Sequence, residues 1–490
     1  MSETVSSLLE VGEPTAPALV VPDGESLTYS GLVDVVQRRS GALSSAGVRA
    51  GDRVAIVEPD GREFLILLFA ALALGATVAP LNAAYTESEF AFYLEDIRPR
   101  LLVLSEAGPK AASEAATALG VTRSSASSHT ARVPPTTPVP DDVALLLHTS
   151  GTTSRPKQVP LRHRNLVSSA RTIAASYRLS DRDVAYCAMP LFHVHGLVAS
   201  VFATLASGGS VVLPGRFTPR GLLEHLGPYG VTWYSAGPTV HTMVLERDAR
   251  TDGMAQAPRL RFIRSCSSAL SEQLMAEVER RFDVPLLEAY GMTEASHQIA
   301  SNPLPPGLRF PGSVGVATGT EIAVRGPDGG WLTAGEVGEV VVRGAGITSG
   351  YLDNPDANAE SFIDGWFRTG DLGALDGDGY LRLAGRIKEM VIRGGENISP
   401  YEVEDALTSH PAVREAACFG LPDAKYGEAV AAVVSLSSQA TAEEIREHCR
   451  ERIATFKVPA TVHIVEAIPR TATGKIQRQR LPALLGLVPG

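Results

Sequence analysis

The chain has 490 residues, of which 44% are hydrophobic and 20% are charged, and this composition is ordinary for a globular protein. A chain of this length can bury a large core and provides material for roughly three domains. Its formal net charge of −10 and its isoelectric point of about 5.6 argue against a nucleic-acid-binding surface.

The sequence has no feature of a secreted or membrane-spanning protein. Its four cysteines have neither the spacing of metal ligands nor that of a disulfide framework, so we expect a reducing, cytoplasmic environment. Residues 1–5 lack the basic start of a secretory signal. The apolar stretch at residues 64–75 is too short to span a bilayer, and it predicts a buried helix with Gly75 as its C-cap.

Short apolar runs alternate with helical segments between residues 17 and 110. One predicted helix follows residues 27–29 with Ser30 as its N-cap, and the next is the apolar stretch just described. Alternation of this kind predicts a parallel sheet with crossover helices. The predicted strands of this part are residues 18–21, 53–57, 77–81 and 101–104.

Residues 124–140 are rich in Ser, Thr, Ala and Pro, which predicts a mobile surface connection. The alternation resumes after it, and from residue 312 to residue 383 it gives way to short strands between glycine turns. That later pattern predicts a small β subdomain. Further predicted strands are residues 143–147, 209–214, 231–235, 261–266 and 285–290, the last of which ends at Gly291.

The pattern changes again at residues 385–389, which predicts a domain boundary. Beyond it lie about a hundred residues, a common domain size, with a predicted helix at 400–409 and a strand at 428–434. A second helix begins at Thr441, which forms a capping box with Glu444. The predicted fold is α/β, with an N-terminal domain of α/β sheet layers and a small β subdomain over 1–385 and an α+β C-terminal domain over 386–490.

The loop from His148 to Val159 has the composition of an anion-binding loop. Small side chains let backbone N–H groups approach a phosphate, hydroxyl groups donate hydrogen bonds, and Lys157 adds a positive charge. The spacing of a Walker loop is absent. The alternative is a polar surface turn between two elements.

Two other segments carry side chains suited to a nucleotide. Residues 290–294 place an aromatic ring, a hydroxyl and a carboxylate at the end of a predicted strand, where ligands bind in open α/β sheets. A ring can stack on a base, Thr293 can bond a phosphate and Glu294 can hold Mg²⁺. Asp371, with Arg386 as a nearby cation, suits the hydroxyl groups of a ribose. For residues 290–294 the alternative is a strand-end turn with a capping Glu, and for Asp371 it is an ordinary aspartate in a turn.

Two further features are weaker when each is taken alone. His193 and His195 are two residues apart, but no further metal ligand stands nearby at suitable spacing, so a pocket wall is favoured over a metal site. Lys475 lies on a glycine-containing turn, and a single exposed Lys is usually solvated.

Taken together and in this order, these segments resemble the adenylate-forming acyl-CoA synthetase superfamily over nearly the whole chain. The resemblance implies a two-step reaction. A carboxylate first attacks the α-phosphate of ATP to give an acyl-adenylate and pyrophosphate, and a thiol, usually coenzyme A, then displaces AMP. It implies ATP and Mg²⁺ as cofactors and coenzyme A as co-substrate. The motifs that carry it are residues 149–159, 290–294, 369–371, 385–388 and 473–475.

The resemblance implies a role for each matching residue. Thr293 bonds the α-phosphate, Glu294 carries Mg²⁺, and Lys475 bridges the carboxylate and the α-phosphate during adenylation. Lys388 is the hinge about which the C-terminal domain rotates, withdrawing Lys475 and bringing residues 393–397 towards the thiol tunnel. The nucleotide is assigned to Thr149, Ser150, Gly151, Thr152, Thr153, Lys157, Ser267, Glu288, Ala289, Tyr290, Asp371 and Arg386.

The loop departs from the family pattern at two positions. Ser154 and Gln158 stand where most relatives have glycine, a residue that marks close backbone approach or a positive φ. Serine is small enough to be a mild change, whereas Gln158 puts the exit of the loop in question.

A closer resemblance is to the oxalate–CoA ligase branch, carried by the Ser-Arg-Pro-Lys loop and by residues 189–196, 264–267, 294–297 and 301–303. Oxalate has a second carboxylate beside the reacting one, so its pocket must be short and hold a charge, whereas a fatty-acid pocket is long and apolar. His193 matches the gating aromatic residue of the family. Donors to the substrate are predicted from His195, Arg264, Ser267 and His297; alternatively, these polar residues satisfy each other.

Three other functions remain open from the sequence. The first is a CoA ligase for another short or polar carboxylate. The second is an adenylating enzyme that loads a carrier protein or an amine, and the third is a nucleotide-binding sensor without catalysis. For the favoured ligase, we expect a small carboxylate and coenzyme A as partners, no nucleic acid, no membrane, and a monomer or homodimer.

Overall fold

The computed structural model describes residues 3–106, 108–125, 138–149, 156–249, 259–470 and 476–487. Most of the predicted connection at 124–140 therefore lies outside the described residues. So do the predicted site residues Ser150, Gly151, Thr152, Thr153 and Lys475, together with Ser154.

Of the four strands predicted between residues 17 and 110, Pro17–Val20 lies in the nine-stranded sheet described below, and the other three lie in a six-stranded sheet. Its first five strands in spatial order pair in parallel and its last pair is antiparallel, so the predicted parallel sheet is confirmed. In spatial order the strands are Arg123–Ser124, Leu101–Leu104, Arg53–Val57, Thr77–Pro80, Val143–His148 and Gln158–Arg162.

A nine-stranded sheet forms the largest layer of the described residues. Its interior strands pair in parallel, and antiparallel pairs close it at both ends. In spatial order the strands are Val316–Ala317, His297–Ser301, Leu286–Met292, Phe262–Ser265, Trp233–Ala236, Val184–Cys187, Ser210–Val212, Pro17–Val20 and Leu27–Thr28.

The main hydrophobic core packs around helix Gly61–Ala73. This helix buries every side chain from Phe64 onward, which explains why its sequence is apolar on all faces. Asp60 caps it by accepting a hydrogen bond from the Glu63 N–H at 2.9 Å. Gly75 follows with a φ of +73°, a conformation that glycine adopts at no steric cost.

Two local predictions are wrong. Helix Tyr29–Ser45 begins two residues earlier than expected, because Thr28 and not Ser30 accepts the capping hydrogen bond from the Gly31 N–H. The strand predicted to end at Gly291 continues to Met292, because its last residues pair with the antiparallel strand His297–Ser301.

The predicted β subdomain is a five-stranded sheet among the described residues. Strand Trp366–Leu375 is its centre and pairs with neighbours on both sides. The other strands are Thr320–Arg325, Gly338–Gly344, Phe362–Ile363 and Leu381–Arg386.

The chain beyond residue 390 forms a separate five-stranded sheet with its own hydrophobic core. Thr441 and Glu444 form the predicted capping box. The mixed α/β fold class is confirmed, while the division between residues 385 and 386 stays a prediction. The strands are Val391–Arg393, Glu396–Ile398, Val413–Asp423, Gly427–Leu436 and Thr461–Val465.

None of the helices in the described ranges is both long and apolar enough to cross a membrane. The α-helices not yet given are Glu87–Ile97, Lys110–Ala118, His163–Ser176, Ala203–Leu205, Pro219–Leu226, Pro238–Ala249, Glu272–Phe282, Pro355–Ser361, Pro400–Thr408, Ala442–Arg450 and Leu481–Leu484. A π-helix spans His195–Phe202, and 3₁₀ turns span Val5–Glu10, Thr293–Ala295, Ile387–Glu389 and Arg478–Arg480.

Candidate active site

A cleft of about 600 Å³ lies where the large sheet, the β subdomain and the C-terminal sheet meet. The loop after strand Phe262–Ser265 and the carboxyl-terminal part of the parallel neighbour Leu286–Met292 line one side of it, as expected for a ligand site at the carboxyl ends of strands. We call it the central cleft. It is lined in part by Ser267, Glu288, Ala289, Tyr290, Asp371, Arg386, Tyr401, Asp405 and Arg478.

Tyr290, Asp371 and Arg386 form one hydrogen-bonded group in this cleft. Asp371 and Arg386 are paired across adjacent strands. The Arg386 Nε donates to Oδ1 of Asp371 at 2.9 Å, and the Tyr290 hydroxyl donates to Oδ2 at 2.5 Å. The Asp371 carboxylate raises the pKa of Arg386, and burial followed by the Asp371 charge raises the pKa of Tyr290. The three residues predicted for adenine and ribose are therefore brought together.

Glu288, also predicted for the nucleotide, is an acid with an altered pKa. Its Oε1 accepts from the Leu270 N–H at 3.3 Å, and its buried Oε2 has no hydrogen-bond partner among the described residues. Burial raises the pKa of Glu288 to about 8. Across the cleft, burial and the nearby Glu404 raise the pKa of Asp405 to about 6. Two carboxyl groups that resist ionisation therefore line the same cavity.

The ends of the predicted phosphate loop are joined by the backbone. The Thr149 N–H donates to the Lys157 carbonyl at 2.9 Å, and the Lys157 N–H donates to Oγ1 of Thr149 at 3.1 Å. These bonds extend the hairpin formed by strands Val143–His148 and Gln158–Arg162. The loop is thus fixed at its base, while residues 150–155 lie outside the described chain.

Gln158, the unexpected residue at the loop exit, bonds to a neighbouring helix. Its Nε2 donates to the Asp96 carbonyl at 2.8 Å and to Oδ2 of Asp96 at 2.5 Å. Oδ2 also bonds Nε2 of His148 at 2.9 Å, and His148 faces Gln158 across the hairpin. The side chain that replaces an expected glycine therefore ties the hairpin to the end of helix Glu87–Ile97.

Thr293 and Glu294 begin the 3₁₀ turn that follows strand Leu286–Met292. Thr293 is half-buried and Glu294 is buried. The Glu294 Oε1 accepts from the Tyr351 hydroxyl at 2.9 Å, and the same tyrosine ring lies 4.5 Å beneath Nζ of Lys157. Tyr351 could not be predicted from the sequence, because it is 57 positions from Glu294 and no local pattern links the two.

The geometry around Glu294 fits a magnesium ion held mainly by nucleotide phosphates. Mg²⁺ keeps several waters and commonly binds through one or two carboxylates plus substrate phosphates. Among the residues that the structure describes, no group of three or more His, Cys, Asp or Glu side chains is arranged to hold a metal. Glu294 provides one carboxylate for the metal, and Lys157, which contacts the same Tyr351 side chain, provides a positive charge for the phosphates. These are the groups that such a site needs.

Arg264 is fully buried at the centre of the predicted carboxylate pocket. Its Nε donates to the Tyr177 hydroxyl at 2.8 Å, and NH1 donates to Oγ of Ser235 at 2.8 Å. NH2 donates to Nε2 of His297 and to Oε1 of Gln298, both at 3.0 Å. Four of the five N–H groups of Arg264 are therefore directed at protein acceptors, as in the alternative that the sequence left open, and donation by Arg264 to the substrate stays a prediction.

A chain of hydrogen bonds leads from Arg264 to the central cleft. Ser235 accepts from Arg264, and its Oγ lies 2.7 Å from Nε2 of His195. The other ring nitrogen of His195, Nδ1, is 2.8 Å from Oγ of Ser267. NH1 of Arg264 is also 3.5 Å from Nε2 of His195; with this nitrogen as the acceptor, Ser235 donates to Nε2 and Nδ1–H donates to Ser267.

This order leaves the Ser267 hydroxyl hydrogen directed away from His195, and Ser267 lines the cleft. His297 stacks on His195 with ring centroids 4.9 Å apart. Since arginine only donates, Nε2 of His297 accepts and its proton is on Nδ1. The residues that sequence reasoning missed here are Tyr177, Ser235 and Gln298, each of which lies far from Arg264 in sequence.

The remaining predicted residues lie at the edges of these groups. His193 is half-buried beside Phe192, with ring centroids 4.9 Å apart, just before the π-helix. Lys388 lies exposed in the turn Ile387–Glu389, and its carbonyl accepts from Nε2 of Gln479 at 3.0 Å. The structure places Lys388 at the junction of two sheets.

Comparison with known families identifies two matching regions. Residues 11–352 match the model of the AMP-binding enzyme family, and residues 402–475 match that of the AMP-binding enzyme C-terminal domain. The first match alone covers more than half of the chain.

Individual proteins resemble the chain over its whole length. It is 44% identical to the oxalate–CoA ligase of Arabidopsis thaliana, with 98% of each chain covered. It is 37% identical to the sulfoacetate–CoA ligase of Cupriavidus necator, with 98% of this chain and 97% of that protein covered. Among solved structures, ATP-bound MatB from Rhodopseudomonas palustris superposes with a TM-score of 0.90 at 31% identity, with 99% of each chain covered.

Proposed function

The chain belongs to the AMP-binding enzyme family and is an acid–thiol ligase, and within that family we propose that it converts oxalate to oxalyl-CoA. ATP and coenzyme A are the co-substrates. In the first step a carboxylate oxygen bonds to the α-phosphorus of ATP and pyrophosphate leaves. In the second step the sulfur of coenzyme A bonds to the acyl carbon, AMP leaves, and the thiol proton is released.

The protein groups have separable roles in this proposal. Tyr290, Asp371 and Arg386 hold the nucleoside in the central cleft, and Thr149 and Lys157 hold the phosphate end. Thr293 donates to the α-phosphate, where negative charge develops in both steps and fixed donors lower the barrier. A magnesium ion on Glu294 would neutralise charge on the leaving pyrophosphate. Loop residues Ser150, Gly151, Thr152 and Thr153 complete the phosphate site.

The observation that carries the substrate assignment is the hydrogen-bond chain from Arg264 through Ser235 and His195 to Ser267. A buried guanidinium with no carboxylate partner among the described residues leaves a positive field in its surroundings. The chain directs donors towards the cleft without exposing the guanidinium. A small anion at Ser267 would be stabilised by the positive field of Arg264 and by the donors of the chain. A long alkyl chain would be stabilised by neither.

Oxalate suits this arrangement because its two carboxylates are directly bonded, so that one can lie at Ser267 while the other reacts. The same geometry suits a sulfonate beside a carboxylate, and the 37% identity to a sulfoacetate–CoA ligase favours that as the second candidate. In both candidates the polar group beside the reacting carboxylate is anionic. We therefore propose the substrate class as a short acid with a second negative charge.

The test measures AMP release by the purified protein with oxalate, malonate, sulfoacetate, acetate and a medium-chain fatty acid, with and without coenzyme A. We expect oxalate to give the highest kcat/KM and full turnover to require coenzyme A. If acetate or the fatty acid is used as well as oxalate, the substrate assignment fails. Turnover that proceeds without coenzyme A when an amine or carrier protein is supplied would favour the other acceptors.

A further inference from the structure

Residues 348–352 cross between two parts of the candidate site. The Thr348 N–H donates to the Glu294 carbonyl at 2.7 Å. Four residues later, the Leu352 N–H donates to the Gln158 carbonyl at 3.0 Å. This crossing segment is therefore bonded through its backbone to the turn that carries Glu294 and to the strand that follows the phosphate loop.

Tyr351 is the side chain of this segment that contacts both predicted phosphate-end residues. Its hydroxyl donates to Oε1 of Glu294 at 2.9 Å, and its ring face lies 4.5 Å from the ammonium of Lys157. Only 8% of the residue is exposed. Asn358 holds its backbone, with Oδ1 accepting from the Tyr351 N–H at 2.6 Å and Nδ2 donating to its carbonyl at 2.9 Å. The position of the ring is thus fixed independently of any ligand.

We propose that Tyr351 is a positioning residue that sets the Glu294 carboxylate and the Lys157 ammonium relative to each other for binding of magnesium-bound ATP. The proposal rests on the proposed function, since it concerns the same site. A hydroxyl that donates to one carboxylate oxygen orients the other towards a metal. A ring beneath an ammonium holds the cation by its quadrupole and removes part of its freedom.

The two contacts of Tyr351 use different parts of its side chain: the hydroxyl bonds Glu294 and the ring faces Lys157. Phenylalanine at this position keeps the ring beneath Lys157 and removes only the bond to Glu294, so the two contacts can be separated.

The experiment measures equilibrium binding of ATP by calorimetry, with no carboxylate and no coenzyme A present, in EDTA and over a series of Mg²⁺ concentrations. We expect Tyr351→Phe to bind ATP like wild type in EDTA and to lose about tenfold of the affinity gained from Mg²⁺, the typical effect of one hydrogen bond to a charged group. Tyr351→Leu should also weaken binding in EDTA about threefold, because Lys157 loses the ring.

A double-mutant cycle separates positioning from a general structural role. In the Glu294→Gln background, Tyr351→Phe should cause no further loss of the Mg²⁺ effect, because the two residues act through one contact. The matched control is Tyr380→Phe, whose hydroxyl donates to the Leu308 carbonyl at 2.9 Å away from the site; its ATP binding should equal that of wild type.

Two results would overturn the positioning role: a Tyr351→Phe variant with the wild-type response to Mg²⁺, or losses that simply add in the double mutant. If the wild-type protein binds no ATP in either condition, the proposed function itself fails. Wild-type binding combined with an unaltered Tyr351→Phe variant overturns the positioning role alone, so the two failures are distinguishable.

Discussion

At the scale of single residues, burial gives several polar side chains of the site properties that their sequence neighbours do not predict. Four N–H groups of Arg264 donate to Tyr177, Ser235, His297 and Gln298, and these contacts arise only when distant parts of the chain pack together. The sequence was sufficient to select Arg264 and His297 as members of one pocket. It could not assign donor and acceptor roles, because those depend on atoms brought together by the fold.

Glu288 provides a test at this scale. Its pKa is about 8 in the folded protein, against about 4.3 in an unfolded chain. The protonated form is therefore favoured by folding: its contribution to stability is full below about pH 4.3, declines as the pH rises towards 8, and is lost above 8. We expect the Tm of Glu288→Gln minus that of wild type to increase from pH 5 to pH 8 and then to level off.

Thermal unfolding followed by circular dichroism over pH 5 to 9 measures this difference. The exposed Glu466 provides the control, because Glu466→Gln should keep a constant Tm difference from wild type over the same range. Parallel curves for Glu288→Gln and wild type would contradict the raised pKa.

At the scale of elements, patterns that repeat along the chain were predictable and contacts between elements were not. The apolar helix Gly61–Ala73 and the capping box of Ala442–Arg450 follow from local sequence. The extension of strand Leu286–Met292 past Gly291 does not, because pairing with His297–Ser301 overrides a local stop signal. The position of Tyr351 likewise depends on a contact between elements, because the segment 348–352 crosses from the turn that carries Glu294 to the strand that follows the phosphate loop.

Gly291 shows why that pairing needs a particular residue. A Cβ added there would lie 1.6 Å from the carbonyl oxygen of His297, so the neighbouring strand would have to move. We expect Gly291→Ala to destabilise the protein by at least about 2 kcal/mol, as overpacking of a fixed backbone does, and to lower adenylation by displacing Thr293 and Glu294. Gly377, with nothing within 4 Å of an added Cβ, is the control.

Chemical denaturation gives the free energy of unfolding for both variants, and ATP–pyrophosphate exchange gives the adenylation rate. Gly377→Ala should match wild type in both measurements. A stable, fully active Gly291→Ala protein would show that the two strands can separate without affecting the site.

At the scale of the whole molecule, the central cleft joins parts of the chain that the sequence places hundreds of residues apart. Ser267 and Glu288 line one side and Tyr401 and Arg478 the other. We propose that the C-terminal domain over residues 386–490 rotates about Lys388 between the two steps. The family resemblance suggested this division from the sequence. The residues that line the cleft could be identified only from the folded structure.

The rotation predicts opposite effects for two substitutions. Lys388→Pro should leave acyl-adenylate formation near the wild-type rate and strongly slow thioester formation, because it restricts the hinge backbone. Lys475→Ala should lower adenylation by about 10²–10³-fold, the effect of losing one transition-state donor, and spare thioester formation from preformed adenylate. Rapid-quench assays of each step measure both rates, and equal losses in both steps for both variants would contradict the rotation.

We propose that the enzyme selects a short acid with a second negative charge and prefers oxalate to other acids of this class. A competition assay tests it most directly: equal concentrations of oxalate, malonate, sulfoacetate and acetate are mixed with limiting ATP and excess coenzyme A, and the thioesters are quantified by mass spectrometry. Product ratios then equal the ratios of kcat/KM. We expect oxalyl-CoA to exceed acetyl-CoA by at least about 10²-fold; acetyl-CoA as the main product would rule out selection for a second negative charge.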